Sequence, residues 1–256
     1  MFVESLTAFA IGLLIGSFLN VCIYRIPLKE SVFWSRSYCP HCRHTIPFYH
    51  NIPLFSYLIL RGKCANCKKK ISPVYPVVEL LSAAATVLIY NHFGVSGAAF
   101  FYILLIYSLI VITFIDFQTK LIPNTVLLFL LGSGVIINLL FNVISWTEAL
   151  LGFIISGSIM YALAVMGKLL FKKESMGMGD VKFSAVAGFF LGWKLTIAAL
   201  YFGFVFALLF AVFGKLISKS AMERVIPMGP FFSVSFFLFL LWGNHFFEVY
   251  VSIING

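Results

Sequence analysis

Acidic residues are scarce in this chain, and aspartate is nearly absent. The 256 residues include 9 Asp and Glu against 18 Lys and Arg, and the only two aspartates are Asp116 and Asp180. Charged residues of either sign make up 11% of the chain, whereas 61% of it is hydrophobic. A soluble domain of this length cannot bury so much apolar surface, so the composition predicts an integral membrane protein.

Two further features are missing from the sequence. Residues 1–5 carry no basic side chain, and no clear small-residue cleavage site follows, so we interpret the first apolar run as a retained span rather than a signal peptide. No base-reading motif and no platform of mixed aromatic and basic residues is evident, so we expect no nucleic-acid partner. The net charge of +9 therefore indicates membrane topology and contact with a membrane surface.

Apolar runs long enough, or nearly long enough, to cross a bilayer recur along the chain, since a span takes about 20 residues. The eight runs are 3–23, 76–92, 97–115, 124–142, 147–167, 180–193, 196–216 and 229–250. Backbone groups cannot bond to water in the bilayer core, so these runs must form helices. The sequence predicts an all-α polytopic membrane protein of about eight transmembrane helices, with the second and sixth runs short.

Basic residues mark one side of the predicted membrane. Seventeen of the 18 Lys and Arg fall in alternate connections between the apolar runs, and Lys194 alone falls in the others. Because Lys and Arg accumulate in cytoplasmic connections, both termini are expected outside and both aspartates at the cytoplasmic face. We divide the chain into a first transmembrane helix (1–23), a cytoplasmic Cys-rich loop (24–75) and a transmembrane core (76–256).

Four cysteines in the loop form two CxxC pairs, with 21 residues between the pairs. They are Cys39, Cys42, Cys64 and Cys67. Four thiolates at this spacing suit a tetrahedral Zn²⁺ ion, and the reducing cytoplasm disfavours the alternative of two disulfides. A loop of about 50 residues has little core of its own, so we expect the metal to be structural.

The two aspartates are the most informative residues. A carboxylate at the middle of a bilayer costs about 2.5–3.5 kcal/mol, so such groups persist where they are partnered, hydrated or used. Two carboxyl groups held close share one proton, and together they can activate a water and protonate a leaving amine, as in aspartic proteases. A proton or cation path, or separate ion pairs with Lys120 and Lys182, are the alternatives that the residues leave open.

The neighbours of the two aspartates fit such a site. Gly177 and Gly179, just before Asp180, let the backbone bend and let a substrate strand approach closely. Pro123 and Asn124 mark the turn that follows Asp116.

Two polar residues near the cytoplasmic ends of the first two spans, Glu79 and Asn20, have two interpretations each. Glu79 either stabilises a helix N-terminus or lines a cytosol-facing pocket. Asn20 either bonds to another helix or belongs to a site, and Gly12 with Gly16 is spaced for close helix packing.

Short motifs from about residue 10 to about 230 resemble, in order, those of the type IV prepilin peptidases, a bacterial leader peptidase/N-methyltransferase family of GxGD membrane aspartic proteases. The motifs are Gly16–Val21 with Arg25 and Pro27, the two CxxC pairs, residues 51–53, 60–64 and 75–80, Asp116 with 121–124, the segment 177–182, and 226–230.

The resemblance implies a catalytic pair, Asp116 and Asp180. It implies that Gly177, Gly179, Lys182, Pro123 and Asn124 support the peptidase site. The expected substrates are prepilins of type IV pili and pseudopilins of type II secretion, cut after a basic leader at the cytoplasmic face of the bacterial inner membrane and contacted along their N-terminal hydrophobic helix.

The resemblance also implies a second activity, N-methylation of the new N-terminal residue from S-adenosylmethionine. Glu79, Asn20 and Arg25 are the candidate methylase residues. Val74 and His50 depart from the residues common in the family, which leaves open a peptidase whose zinc loop is purely structural. A carboxylate-gated transporter is the remaining alternative.

Overall fold

The computed structural model describes residues 2–33, 36–172, 176–217 and 226–255. Its elements in chain order are α1 (Phe2–Leu28), a 3-10 helix (Phe48–His50), α2 (Phe55–Ile59), α3 (Val74–Phe93), α4 (Gly97–Thr119), α5 (Asn124–Phe141), α6 (Trp146–Phe171), α7 (Met178–Ile217) and α8 (Gly229–Asn255). Among these residues, β pairing is limited to two isolated bridges, Tyr38–Thr45 and Lys63–Lys70. The predicted all-α fold is confirmed.

Seven helices in the described part of the chain, all but α2, are long and apolar enough to cross a membrane. The chain separates into two compact units, Met1–Ala99 and Phe100–Gly256. The first unit contains α1 to α3 and the Cys-rich loop, and the second contains most of α4 and all later helices. The three-part functional division of the chain stays a prediction.

In the first unit, α1 and α3 pack closely because α1 presents glycines to its neighbour. A Cβ added at Gly12 would lie 2.6 Å from the Cα of Ala83, and one added at Gly16 would lie 2.7 Å from the Cα of Glu79. Only glycine permits such an approach at these two positions. The GxxxG prediction of close helix packing is confirmed.

In the second unit, α7 carries two of the predicted spans, 180–193 and 196–216, and it breaks at Gly192, one residue before the end of the first span. Gly192 has φ 74° and ψ 169°, which interrupts the helix. On α8, Phe236 packs against Phe183 (5.4 Å between ring centroids), while its neighbour Ser235 donates to the carbonyl of Ala199 (2.6 Å).

In a straight helix Phe183 and Ala199 would be about 24 Å apart. Both nevertheless contact the same turn of α8. The chain therefore folds back at Gly192, and the 40 residues of α7 form two antiparallel arms, 178–191 and 193–217. The two spans expected from the sequence correspond to these arms rather than to separate helices.

Small residues let the first arm of α7 pack tightly against α6. A Cβ on either Gly152 or Gly188 would collide with the other glycine's carbonyl. Ser156 Oγ donates to the carbonyl of Ser184 across the same contact (2.9 Å). This packing fixes the helix whose first turn carries Asp180.

Candidate active site and metal centre

Asp116 lies near the C-terminal end of α4 and is 4% exposed. Its Oδ2 accepts a 2.9 Å hydrogen bond from the backbone N–H of Gly229, the first residue of α8. A Cβ at Gly229 would lie 2.7 Å from that oxygen, so the position has no room for a larger residue. The carboxyl group of Asp116 is therefore held at the N-terminus of α8, where the helix dipole favours a negative charge.

Asp180 lies in the first turn of α7 and is partly exposed. Its backbone N–H donates to the carbonyl of Gly177 (3.1 Å), and a Cβ at Gly177 would lie 3.3 Å from Asp180 Oδ2. The carboxyl groups of Asp116 and Asp180 are close enough to interact electrostatically. The two predicted acids thus lie within electrostatic range of each other, although they are 64 positions apart in the sequence.

The turn after α4 contacts the start of α7, so the segment that follows Asp116 lies against the segment that carries Asp180. A Cβ at Gly179 would lie 3.1 Å from the Cβ of Ile122, and Lys182 Nζ donates to Asn124 Oδ1 (3.2 Å). Pro123 immediately precedes α5, with φ −68° and ψ 124°. These contacts join the segment after Asp116 to the first turns of α7, and the supporting role of the five residues stays a prediction.

Gly229 is a site residue that the sequence reasoning did not identify as one. The motif that contains it, 226–230, was noted only for its likeness to a family pattern. A sharper signal was present, because the first N–H groups of a helix have no acceptor within it, and Gly229 carries such a group directly before Pro230, which has none.

The four cysteines of the loop lie on two turns with the same local structure. In the first, the amide of Arg43 donates to the carbonyl of Cys39 (2.9 Å), and in the second, Lys68 donates to Cys64 (3.0 Å). Arg43 and Lys68, each the residue after the second cysteine of its pair, have φ of 57° and 60°. Two matching turns of this kind present four thiols to one point.

The thiol geometry fits a metal ion. The four Sγ atoms all lie within 4.8 Å of one another, and Cys39 Sγ is 3.9 Å from Cys67 Sγ. Tetrahedral Zn²⁺ with Zn–S bonds of about 2.3 Å requires sulfur separations of roughly 3.8 Å. The hydrogen bond from the backbone N–H of His44 lowers the pKa of the Cys42 thiol to about 7, whereas the pKa of Cys67 is raised to about 11, so Cys42 ionises more readily than Cys67. The cluster could hold a metal such as zinc.

The three candidate methylase residues are buried in the first unit, and each bonds to the backbone of the loop or its ends. Asn20 Nδ2 donates to the carbonyl of Tyr75 (3.0 Å), and Glu79 Oε2 accepts the N–H of Leu54 (2.8 Å). Arg25 donates to the carbonyls of Ser31 (3.2 Å) and Arg36 (2.9 Å). These bonds tie the loop to α1 and α3.

Comparison with known proteins agrees with this geometry. Residues 10–93 match the Bacterial Peptidase A24 N-terminal domain, and residues 103–212 match the Type IV leader peptidase family. A prepilin leader peptidase/N-methyltransferase of Aeromonas hydrophila is 34% identical over 92% of this chain and 90% of its own length. The chain belongs to the type IV leader peptidase family.

Other relatives carry the same name. The proteins of Stutzerimonas stutzeri (93% of this chain, 91% of the relative) and Neisseria gonorrhoeae (89% and 87%) are each 35% identical to this chain. The first family match covers the four cysteines, and the second covers both aspartates. No solved structure matches the chain.

Proposed function

We propose that this chain removes the leader of a prepilin and then methylates the N-terminus that it exposes. Family membership supports both activities, because the relatives are named as prepilin leader peptidase and N-methyltransferase together. One observation supports the peptidase activity in particular: Asp116 and Asp180 lie within electrostatic range of each other in a multi-pass membrane protein. Two neighbouring carboxyl groups that share one proton can hydrolyse an amide without a metal or a nucleophilic side chain, as in aspartic proteases.

In the proposed mechanism the two carboxyl groups share one proton. The ionised member takes a proton from water as the water oxygen bonds to the scissile carbonyl carbon, and the protonated member polarises the carbonyl oxygen. The C–N bond then breaks as the leaving amine takes up a proton from the pair. Gly229 supports this role because its N–H fixes one oxygen of Asp116.

The proposed substrate enters from the cytoplasmic face. Seventeen of the 18 basic residues lie on one side of the predicted topology, and the reversal at Gly192 gives α7 two crossings. The total is then eight crossings with both termini outside, which supports a pair of acids facing the cytoplasm. In a substrate with a basic leader followed by an apolar helix, the peptide bond between these two parts would lie at the cytoplasmic membrane face, close to the two acids.

Zinc is the proposed ion of the cysteine cluster, held by Cys39, Cys42, Cys64 and Cys67. Its role would be structural, because four protein ligands leave no open coordination position. A closed site of this kind supplies folding free energy to a loop that is tied to the membrane helices by few side chains.

S-adenosylmethionine is the proposed methyl donor, and it would supply an electrophilic methyl group to the new N-terminal amine. The polar groups of Asn20, Arg25 and Glu79 already bond to backbone atoms of the protein. We therefore propose that these residues act on methyl transfer by shaping the loop.

One experiment separates the candidate functions. The purified chain is incubated with a prepilin, with and without S-adenosylmethionine, and the product is measured by mass spectrometry. We expect loss of the leader in both reactions and the mass of one added methyl group only when the donor is present. Cleavage without methylation would support a peptidase with a structural loop, and proton flux in liposomes without cleavage would support a transporter.

A further inference from the structure

The short helix α2 of the loop exposes an apolar face that the protein itself does not cover. Phe55, Leu58 and Ile59 are 63%, 72% and 66% exposed, and their i, i+3, i+4 spacing puts them on one side of the helix. The opposite side is fixed inward, because Ser56 is buried and its Oγ donates to the carbonyl of Tyr49 (3.1 Å). The helix is therefore amphipathic, with its apolar side outward.

The position of α2 is fixed relative to a membrane-spanning helix. Leu54, which immediately precedes α2, donates its N–H to the Glu79 carboxylate. Glu79 is the sixth residue of α3, so it lies about 8 Å along that helix from its start. A loop residue bonded at this level cannot project far into the cytosol. The exposed apolar face is thus held at the depth of the membrane interface.

A basic pocket adjoins the apolar face. A cavity of about 240 Å³ lies at the C-terminal end of α2 and is lined by Ile59, Arg61, Lys63 and Lys68, among others. Its three cationic side chains belong to exposed residues. The whole loop, 24–75, contains nine Lys and Arg and one acid, Glu30. Ile59 contributes to both the pocket and the apolar face, so the two form one continuous surface.

We propose that this surface binds an anionic phospholipid of the cytoplasmic leaflet. The face formed by Phe55, Leu58 and Ile59 inserts among the acyl chains, and the pocket formed by Arg61, Lys63 and Lys68 takes the headgroup phosphate. Lipid is favoured over a peptide because α1 and α3 tether the loop to the bilayer at both ends, so lipid is always in contact. The inference depends on the orientation of the loop and not on peptidase or methylase activity.

The test uses the full chain in nanodiscs of phosphatidylcholine and phosphatidylglycerol in equal parts. Either lipid carries a photoactivatable group on its acyl chain, and the attachment sites are mapped by mass spectrometry. We expect the phosphatidylglycerol probe to label residues 52–63 in strong excess over the phosphatidylcholine probe. Equal labelling by the two probes would overturn the headgroup site.

Charge variants test whether anionic lipid binds to the pocket itself or is attracted only by the overall positive charge of the loop. Arg61→Gln with Lys63→Gln and Lys68→Gln should lower the apparent affinity for the anionic probe about fivefold per cation, or roughly a hundredfold. The matched control, Lys29→Gln with Lys69→Gln and Lys70→Gln, removes the same charge from the same loop and should lower labelling much less than the pocket variant does. An equal loss in both variants would show that the pocket is not a site.

An apolar variant tests the face. Leu58→Ser should remove most of the acyl-chain labelling of α2, with the metal content of the loop as the measure of an intact fold. A prepilin that suppresses the lipid labelling and is itself cross-linked to Leu58 would overturn the proposal, because the face would then bind substrate.

Discussion

The backbone N–H of Gly229 donates a 2.9 Å hydrogen bond to Oδ2 of Asp116, joining positions 113 residues apart in the sequence. An N–H group can only donate, so the oxygen that accepts from Gly229 has less capacity to hold the proton that we propose Asp116 shares with Asp180. The other three oxygens of the pair are left to hold that proton and the attacking water. The start of α8 is therefore a third structural component of the proposed peptidase site.

Gly229→Ala should impair cleavage selectively. The added methyl group would lie 2.7 Å from Asp116 Oδ2, closer than van der Waals contact, so the carboxylate must move. Because displacements below 1 Å at a reacting group are costly, we expect kcat to fall between about tenfold and a hundredfold with little change in KM. Steady-state kinetics on a prepilin measures both constants.

Gly132→Ala is the matched control for this variant. A Cβ at Gly132 in α5 meets nothing within 4 Å, so its kinetics should remain those of the wild type. Wild-type kcat in Gly229→Ala would refute the role of Gly229, whereas a normal rate in Asp116→Asn would refute the peptidase mechanism itself.

Cys39→Ser should remove the metal from the loop. Replacement of one thiolate of four weakens a closed tetrahedral site and with it the fold that the metal supports. We expect about one zinc per chain in the wild type and a large loss in the variant, measured by elemental analysis of the purified protein. Cys22→Ser, a partly buried cysteine of α1 outside the cluster, should keep its metal. Equal metal content in all three proteins would contradict the site.

Methyl transfer should tolerate replacement of Glu79 by an amide side chain but not by an apolar one. In Glu79→Gln the side-chain oxygen can still accept the N–H of Leu54, whereas Glu79→Leu leaves that donor unsatisfied, at a cost of about 1–3 kcal/mol. We expect methyl transfer to persist in the first variant and to fall strongly in the second, measured with a labelled methyl donor and a cleaved prepilin. Loss of transfer in Glu79→Gln with zinc retained would mean that the carboxylate acts directly.

Gly192→Ala should destabilise the membrane core. Gly192 has φ 74° and ψ 169°, a conformation that residues with a Cβ adopt only at a cost of about 1–3 kcal/mol. The melting temperature in detergent should therefore fall relative to both the wild type and Gly132→Ala. An unchanged melting temperature would indicate that the two arms of α7 do not depend on this reversal.

The features that could be predicted from the sequence are those that depend on short, local patterns of residues. The apolar runs predict the spanning helices because a bilayer permits little else, and the two CxxC pairs predict four thiols at one point. The close approach of another helix to Gly12 likewise follows from residue size, although the identity of that helix, α3, does not. Each of these features depends on residues near one another in the chain, or on the membrane itself.

Contacts between distant positions could not be predicted in the same way. The bond from Leu54 to Glu79 depends on how the loop returns to α3, and α2 is too short to have a periodic signal. The break at Gly192 lies inside the predicted run 180–193 rather than in the gap that follows it, and a positive φ has no signature beyond the glycine itself. The pairing of Gly229 with Asp116 requires the packing of the second unit as a whole.

The most direct test of the central claim is the rate of leader removal in Asp116→Asn and Asp180→Asn, measured on a purified prepilin. Neither asparagine can share a proton, so we expect each variant to lose at least about a hundredfold in rate while remaining folded. Glu148→Gln, which neutralises an acid of α6, should cleave at the wild-type rate. Leader removal at the wild-type rate in either aspartate variant would contradict the account.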